Sequence, residues 1–268
     1  MFILGDYESG VIRISRSISV PHGCSVNSSR KLSKKSRKGE CQLDSNGSMG
    51  TLYNASEWII RYLIVNLLWF IFNIPIVFLL INLLMVKNTN EIFAICIVIF
   101  AVMPFLFFPA TIGMFAVVRK WFMNEEDIPI TRSFLKYYKE NYIRSMTGGI
   151  IIGGMWLIFA VDYYYFTVQV SESFKYLFIF LFIFLLAFTL HFMSNTVHFE
   201  SKLFKSLKNS LFITIGSPLL SLGLGIVSGL IVYVSFNYLT FIIPLFMGSL
   251  LTLLAFSIFY KVYLTIES

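Results

Sequence analysis

His191, Asn195 and His198 stand at i, i+4 and i+7, one face of a helix, with Ser194, Thr196 and Glu200 beside them. Two imidazoles and a carboxylate are donors able to hold a metal ion or relay protons. Polar groups set in an apolar run are costly and mark functional candidates, so His191, Asn195, His198 and Glu200 form the candidate set. They lie in the last turns of that run, and neither HExxH nor another tight ligand motif accompanies them. A solvated, interhelically bonded helix end is therefore the first reading, ahead of a membrane enzyme that would hold metal on His191, His198 and Glu200. Asp162 falls about 24 Å along its run at 1.5 Å per residue, which makes it an anchor at the far interface. Cys24, Cys41 and Cys96 offer neither a disulfide framework nor a CxxC site. GxSxG, P-loop and GxGxxG motifs are absent, so the chain is expected to be no enzyme and to carry no cofactor.

Composition excludes a soluble domain. Of 268 residues 57% are hydrophobic and 13% charged, with a mean hydropathy of +0.78, against roughly 45–50% apolar and about 25% charged for soluble domains. At about 20 apolar residues per crossing, six runs qualify as spans: about 58–86, 92–118, 147–166, 174–199, 211–234 and 238–259. An all-α polytopic protein with six transmembrane helices is predicted. Short positively charged loops stay cytoplasmic. Eleven Lys and Arg between Arg61 and Lys261 fall on one side, and only Lys87 and Lys175 on the other. Both termini are thus predicted to be cytoplasmic. In the first run Asn66 and Asn73 share a face, which suits bonding between helices. Pro75, Pro104 and Pro109 are expected to kink their spans.

Residues 1–48 carry eight of the basic residues behind the net charge of +7, among Ser, Gly and Asn, with no signal-peptide core. A disordered basic tail is expected there. Met49 leads directly into the first run and is the expected natural start, which makes the tail a mis-called extension.

Two elbows lie on the predicted cytoplasmic side. Residues 130–146 put Arg132, Lys136 and Lys139 on one helical stripe and Phe134, Leu135, Tyr138 and Tyr142 on another, the pattern of a helix in the membrane interface. The second elbow sets Lys202, Lys205 and Lys208 against Leu203, Phe204, Leu207 and Leu211. At an offset of 69 residues Lys136, Lys139 and Gly154 fall on Lys205, Lys208 and Gly223, a weak internal repeat. The six basic residues are candidates for docking lipid headgroups or a partner. Each elbow leads into a GxxxG, at Gly149/Gly153 and Gly225/Gly229, which suits close helix packing. A pseudo-symmetric substrate path is the functional alternative.

The stretch 109–121 (PATIGMFAVVRKW), with Phe134 and the elbow Lys139-Glu140-Asn141-Tyr142-Ile143-Arg144-Ser145, resembles the YesL family of bacterial membrane proteins, a family of unknown function. The resemblance spans about 49–266 and is most specific at 109–121. It implies a multi-pass protein of the bacterial plasma membrane, often encoded near carbohydrate-uptake and polysaccharide-degradation systems, and it carries over no catalytic residues. The expected role is a non-enzymatic accessory or regulatory component linked to carbohydrate uptake. The expected partners are the lipid bilayer and a carbohydrate ABC transport system or other membrane partner, not nucleic acid. Residues 200–218 also look like the cytoplasmic coupling helix of ABC importer permeases, beginning at Glu200 and closing at Pro218. Ser206 stands where those permeases carry glycine, and the spacing to Pro218 is one residue short. That likeness supports the alternative, a transporter or permease subunit for a sugar-type solute.

Overall fold

Asn73 and Pro75 divide the first apolar run. Helix α1 (Ser48–Phe72) stops at Asn73, whose Nδ2 turns back to donate to the Trp69 carbonyl at 2.8 Å. Helix α2 (Ile74–Met85) restarts with proline in its first turn, where a missing N–H has no intrahelical partner to lose. Asn88 caps α3 (Thr89–Phe122) by accepting from the Asn90 amide at 3.2 Å. Its 34 residues reach about 51 Å at 1.5 Å each and continue through Pro104 and Pro109. Of the three prolines expected to kink a span, only Pro75 coincides with a break.

The first elbow is α4 (Ile130–Glu140). It ends at Asn141, one residue before α5 (Tyr142–Tyr165), which a π-helical turn at Phe166–Val170 extends. Helix α6 (Phe174–His198) leads to the second elbow, α7 (Leu203–Gly216). Ser217 and Pro218 separate it from α8 (Pro218–Asn237), and a π-helical turn at Ile243–Met247 precedes α9 (Gly248–Glu267). The predicted fifth span began at 211, whereas residues 211–216 belong to α7. Leu211, Phe212 and Ile215 make the elbow's end as apolar as a span, and only the Ser217-Pro218 break separates the two.

This computed structural model describes residues 48–123, 125, 128–199 and 201–267. The basic tail and Glu200 lie outside the described residues. Among the described residues every regular element is helical. Six segments are long and apolar enough to cross a membrane: Ala55–Phe72, Thr89–Phe122, Tyr142–Val170, Phe174–His198, Pro218–Asn237 and Ile243–Thr265. The molecule is an all-α protein with six candidate membrane spans.

Helix α3 is the hub. Residues 108–118 are buried all round except as the chain turns to Arg119, as befits a helix apolar on every side. On one flank Met114, Val117 and Trp121 pack with Val65 and Trp69 of α1 and Phe134 of α4. On the other, Phe108, Ile112 and Phe115 meet Ile152 of α5, Phe188 and Phe192 of α6, and Phe256 and Phe259 of α9. Burial is uneven along the helices. In α5 it runs only from Ser145 to Gly153, and in α6 mainly from Ala187 to Val197, the halves next to the elbows. In the opposite halves Phe93, Ile158, Tyr164 and Phe180 face outward, the surface that lipid tails cover.

Candidate functional site at the elbow-bearing end

The polar face of α6 is split between two surroundings. His191 is fully buried, with Nε2 3.2 Å from the Ser221 hydroxyl of α8. Asn195, also fully buried, donates from Nδ2 to the Ser206 carbonyl of α7 at 3.3 Å. Both therefore bond across helices, the role open to polar residues inside a membrane bundle. Each keeps a second atom shielded and without a partner, His191 Nδ1 and Asn195 Oδ1. His198 does not join them. It sits among aromatic rings, 4.7 Å from Phe199, 5.1 Å from Tyr263 and 5.7 Å from Phe259 between centroids. Among the described residues no three His, Cys, Asp or Glu side chains converge.

Arg144, read from the sequence as one basic charge and as part of the elbow that resembles the YesL family, has a specific structural role. It donates from Nη2 to the Phe199 carbonyl and to the Ser206 hydroxyl, both at 2.8 Å, tying the start of α5 to the α6–α7 connection. Hydrogen bonds from a charged donor are the stronger kind, so Arg144 and Asn195 together fix α7 against the bundle. The available signal was an arginine at the mouth of an apolar run facing a serine-bearing elbow.

The apolar set that the sequence groups on one face of α7 divides in the structure. Leu203 and Leu207 turn toward the core. Phe204, however, is 79% exposed and Leu211 also faces out, while Ser206, Ser210 and Thr214 are buried. Small hydroxyls let the elbow approach closely, and Ser210 and Thr214 satisfy themselves on the carbonyls one turn back. Lys205 and Lys208 therefore share the outer face with Phe204 and Phe212, and Lys208 Nζ lies 5.6 Å over the Phe212 ring. Lys202 precedes the helix at its N-cap.

In α4, Phe134 is fully buried and sits 5.5 Å from the Phe72 ring of α1, which Tyr138 approaches at 4.7 Å. Burial, and after it the neighbouring Tyr142, push the Tyr138 phenol above its usual range. Arg132, Lys136 and Lys139 are exposed, with Leu135 beside them. Leu135 and Phe204, matched by the 69-residue offset, thus occupy equivalent outward places.

The two GxxxG motifs are each half used. A Cβ on Gly149 would stand 2.7 Å from the Phe108 ring, and one on Gly225 would stand 2.6 Å from the Ile183 carbonyl oxygen. At Gly153 it would meet only Phe100 at 3.9 Å, and at Gly229 nothing within 4 Å. Gly153 and Gly229 therefore do not serve the close packing expected of them.

Residues 62–163, from α1 into α5, match the family described as "Protein of unknown function, DUF624". Uncharacterized protein YteU of Bacillus subtilis (strain 168) is 25% identical over 227 residues, 84% of this chain and 90% of its own length. Uncharacterized protein YesL of the same organism is 24% identical over 210 residues, 78% of this chain and 88% of its own. The chain is YesL-like and carries a DUF624 region. Uncharacterized protein YesV, also of Bacillus subtilis, is 35% identical over 63 residues, 24% of this YesL-like chain and 30% of its own. No solved structure matches.

Proposed function

We propose that this YesL-like chain is a non-enzymatic accessory or regulatory protein of the bacterial plasma membrane, with both termini cytoplasmic, linked to carbohydrate uptake. The observation that carries the reading is the held elbow. Arg144 and Asn195 fix α7 from inside, and Lys205, Lys208, Phe204 and Phe212 point away from the bundle. A basic and aromatic surface on a rigid support suits docking to a cytosolic face or to anionic headgroups. The cytoplasmic placement follows from the excess of Lys and Arg on the elbow side, and the link to carbohydrate uptake rests on the YesL resemblance.

The test is purification of the full chain from its native host in mild detergent, with identification of what accompanies it. A transport ATPase or permease that comes down with the wild type and is released by Lys202→Glu, Lys205→Glu and Lys208→Glu together is the expected result. Unchanged recovery with the triple variant would remove α7 as the docking element. Unchanged growth of a deletion strain on every complex carbohydrate would remove the uptake link. A second reading, a permease subunit, draws on the buried and unpartnered His191 Nδ1 and Asn195 Oδ1. Uptake of labelled sugar into liposomes holding this protein alone separates the two.

A further inference from the structure

Arg119 closes the elbow-bearing end of α3, and it differs from the cations around it. Lys120 Nζ reaches Glu125 at 2.7 Å and Arg61 reaches Glu57 at 2.6 Å. Among the described residues Arg119 has no hydrogen-bond or ion-pair partner, and its Nε is shielded from solvent. Phe122, one turn further along the same face, places its ring 5.5 Å from Phe256 and 5.4 Å from Tyr260 of α9. His198 of α6 lies 6.1 Å and 6.0 Å from those same two rings. Arg119 therefore opens on a corner bounded by α3, α6 and α9, within electrostatic reach of His198. The His198 Nδ1 is also shielded and without a partner. Among the described residues, the other charges at this end are exposed Lys261 on α9, Arg144, bonded to the carbonyl of the residue after His198, and Glu125, whose carboxylate is held by Lys120.

A guanidinium N–H kept from water without an acceptor is costly, and charge at a membrane edge is retained where something answers it. A planar fork of donors beside an imidazole matches a tetrahedral oxyanion, which guanidinium binds through two parallel hydrogen bonds. The geometry points to a phosphate-binding site made by Arg119 and His198 between α3, α6 and α9, taking a phosphate monoester or diester. It uses residues outside the elbows' lysine faces, so it can fail while the docking role stands.

The experiment is thermal unfolding of the full chain in neutral detergent, titrated with dihexanoylphosphatidylglycerol or with inorganic phosphate. A ligand that binds only the folded state raises the midpoint with concentration. The wild type should show a saturable rise, and Arg119→Gln should shift half-saturation at least tenfold. Arg119→Lys should retain part of the effect, His198→Gln should weaken it several-fold, and Lys208→Gln should leave it unchanged. Arg119→Lys and His198→Gln carry the test if Arg119→Gln fails to fold. Stabilisation by the lipid alone assigns the site to a headgroup, and stabilisation by inorganic phosphate as well assigns it to phosphate in general. No rise with either probe, or an equal loss in Lys208→Gln, overturns the site.

Discussion

Gly225→Ala should lower the thermal midpoint of the purified protein sharply, while Gly229→Ala, one turn further along α8, should leave it nearly unchanged. The two substitutions add the same methyl group to the same helix. At Gly225 that methyl would lie 2.6 Å from the Ile183 carbonyl oxygen and 2.6 Å from the Ile183 Cγ2. Real contacts of this kind are not made, and a backbone oxygen inside α6 cannot swing aside as a side-chain tip does. Helix α8 must move away from α6, which loosens the neighbouring Leu224 and the His191–Ser221 contact. Overpacking in a fitted interior typically costs about 1–3 kcal/mol, and the backbone obstacle places this variant near the upper end, about 3 kcal/mol. Gly229 has nothing within 4 Å of the added atom. There the change is set by helix propensity, which favours alanine by up to about 1 kcal/mol. Gly149→Ala should fall between, since its obstacle is the Phe108 ring near its Cβ rather than backbone. Equal midpoints for the Gly225 and Gly229 variants would mean that α8 does not lie against α6 at this depth.

The same pair of glycines marks how far the sequence could be read. A Cβ at Gly149 or Gly225 would meet a neighbouring helix closely, but the GxxxG motif cannot say which glycine meets the partner. That depends on where two helices cross, a property of tertiary geometry. The six spans were legible because lipid demands long, nearly uncharged runs. Span boundaries were not, because hydropathy falls only where polar residues begin. Leu211, Phe212 and Ile215 carried the apolar signal of the fifth span back into α7. The inward side of α7 was not legible for a related reason: it includes Ser206, Ser210 and Thr214. Small hydroxyls let membrane helices approach closely, so a contact face need not be its most apolar one. The His191, Asn195 and His198 spacing placed three residues on one side of α6, yet a stripe of i, i+4 and i+7 spans two turns. Its two ends meet different neighbours, Ser221 of α8 at one and the rings of α9 at the other. Arg119 was invisible as an individual, since what sets it apart is the lack of an acceptor among the described residues, which only packing reveals.

Asn66→Ala should destabilise the protein by about 2 kcal/mol, and Asn82→Ala by less than about 0.5 kcal/mol, although both asparagines sit in the same apolar run. Asn82 is spent on its own helix, donating to the Phe78 carbonyl at 2.7 Å on an exposed face. Asn66 is fully buried and holds two segments at once. Its Nδ2 donates to the Ile243 carbonyl at 3.1 Å, and its Oδ1 accepts from the Ser249 amide at 3.0 Å. The first opens the π-helical turn and the second lies in the first turn of α9, where amides have no carbonyl behind them in the helix. Gly248 permits the approach, since a Cβ there would stand 2.7 Å from the same Oδ1. A single interhelical hydrogen bond in a membrane protein averages about 0.6 kcal/mol. Here two backbone groups lose their partner together, the Ser249 amide in a buried place and the Ile243 carbonyl in a part-buried one; a buried loss costs about 1–3 kcal/mol, so the sum exceeds the average even after partial relaxation. Asn66→Asp is the sharper variant: it keeps the acceptor for Ser249, removes the donor to Ile243 and buries a carboxylate, so it should be no better than alanine. Thermal midpoints rank the three variants, and hydrogen exchange at the Ser249 amide locates the effect. If that amide is equally protected in Asn66→Ala, α1 does not hold the start of α9, and the sixth span is positioned by the packing of Phe256 and Phe259 alone.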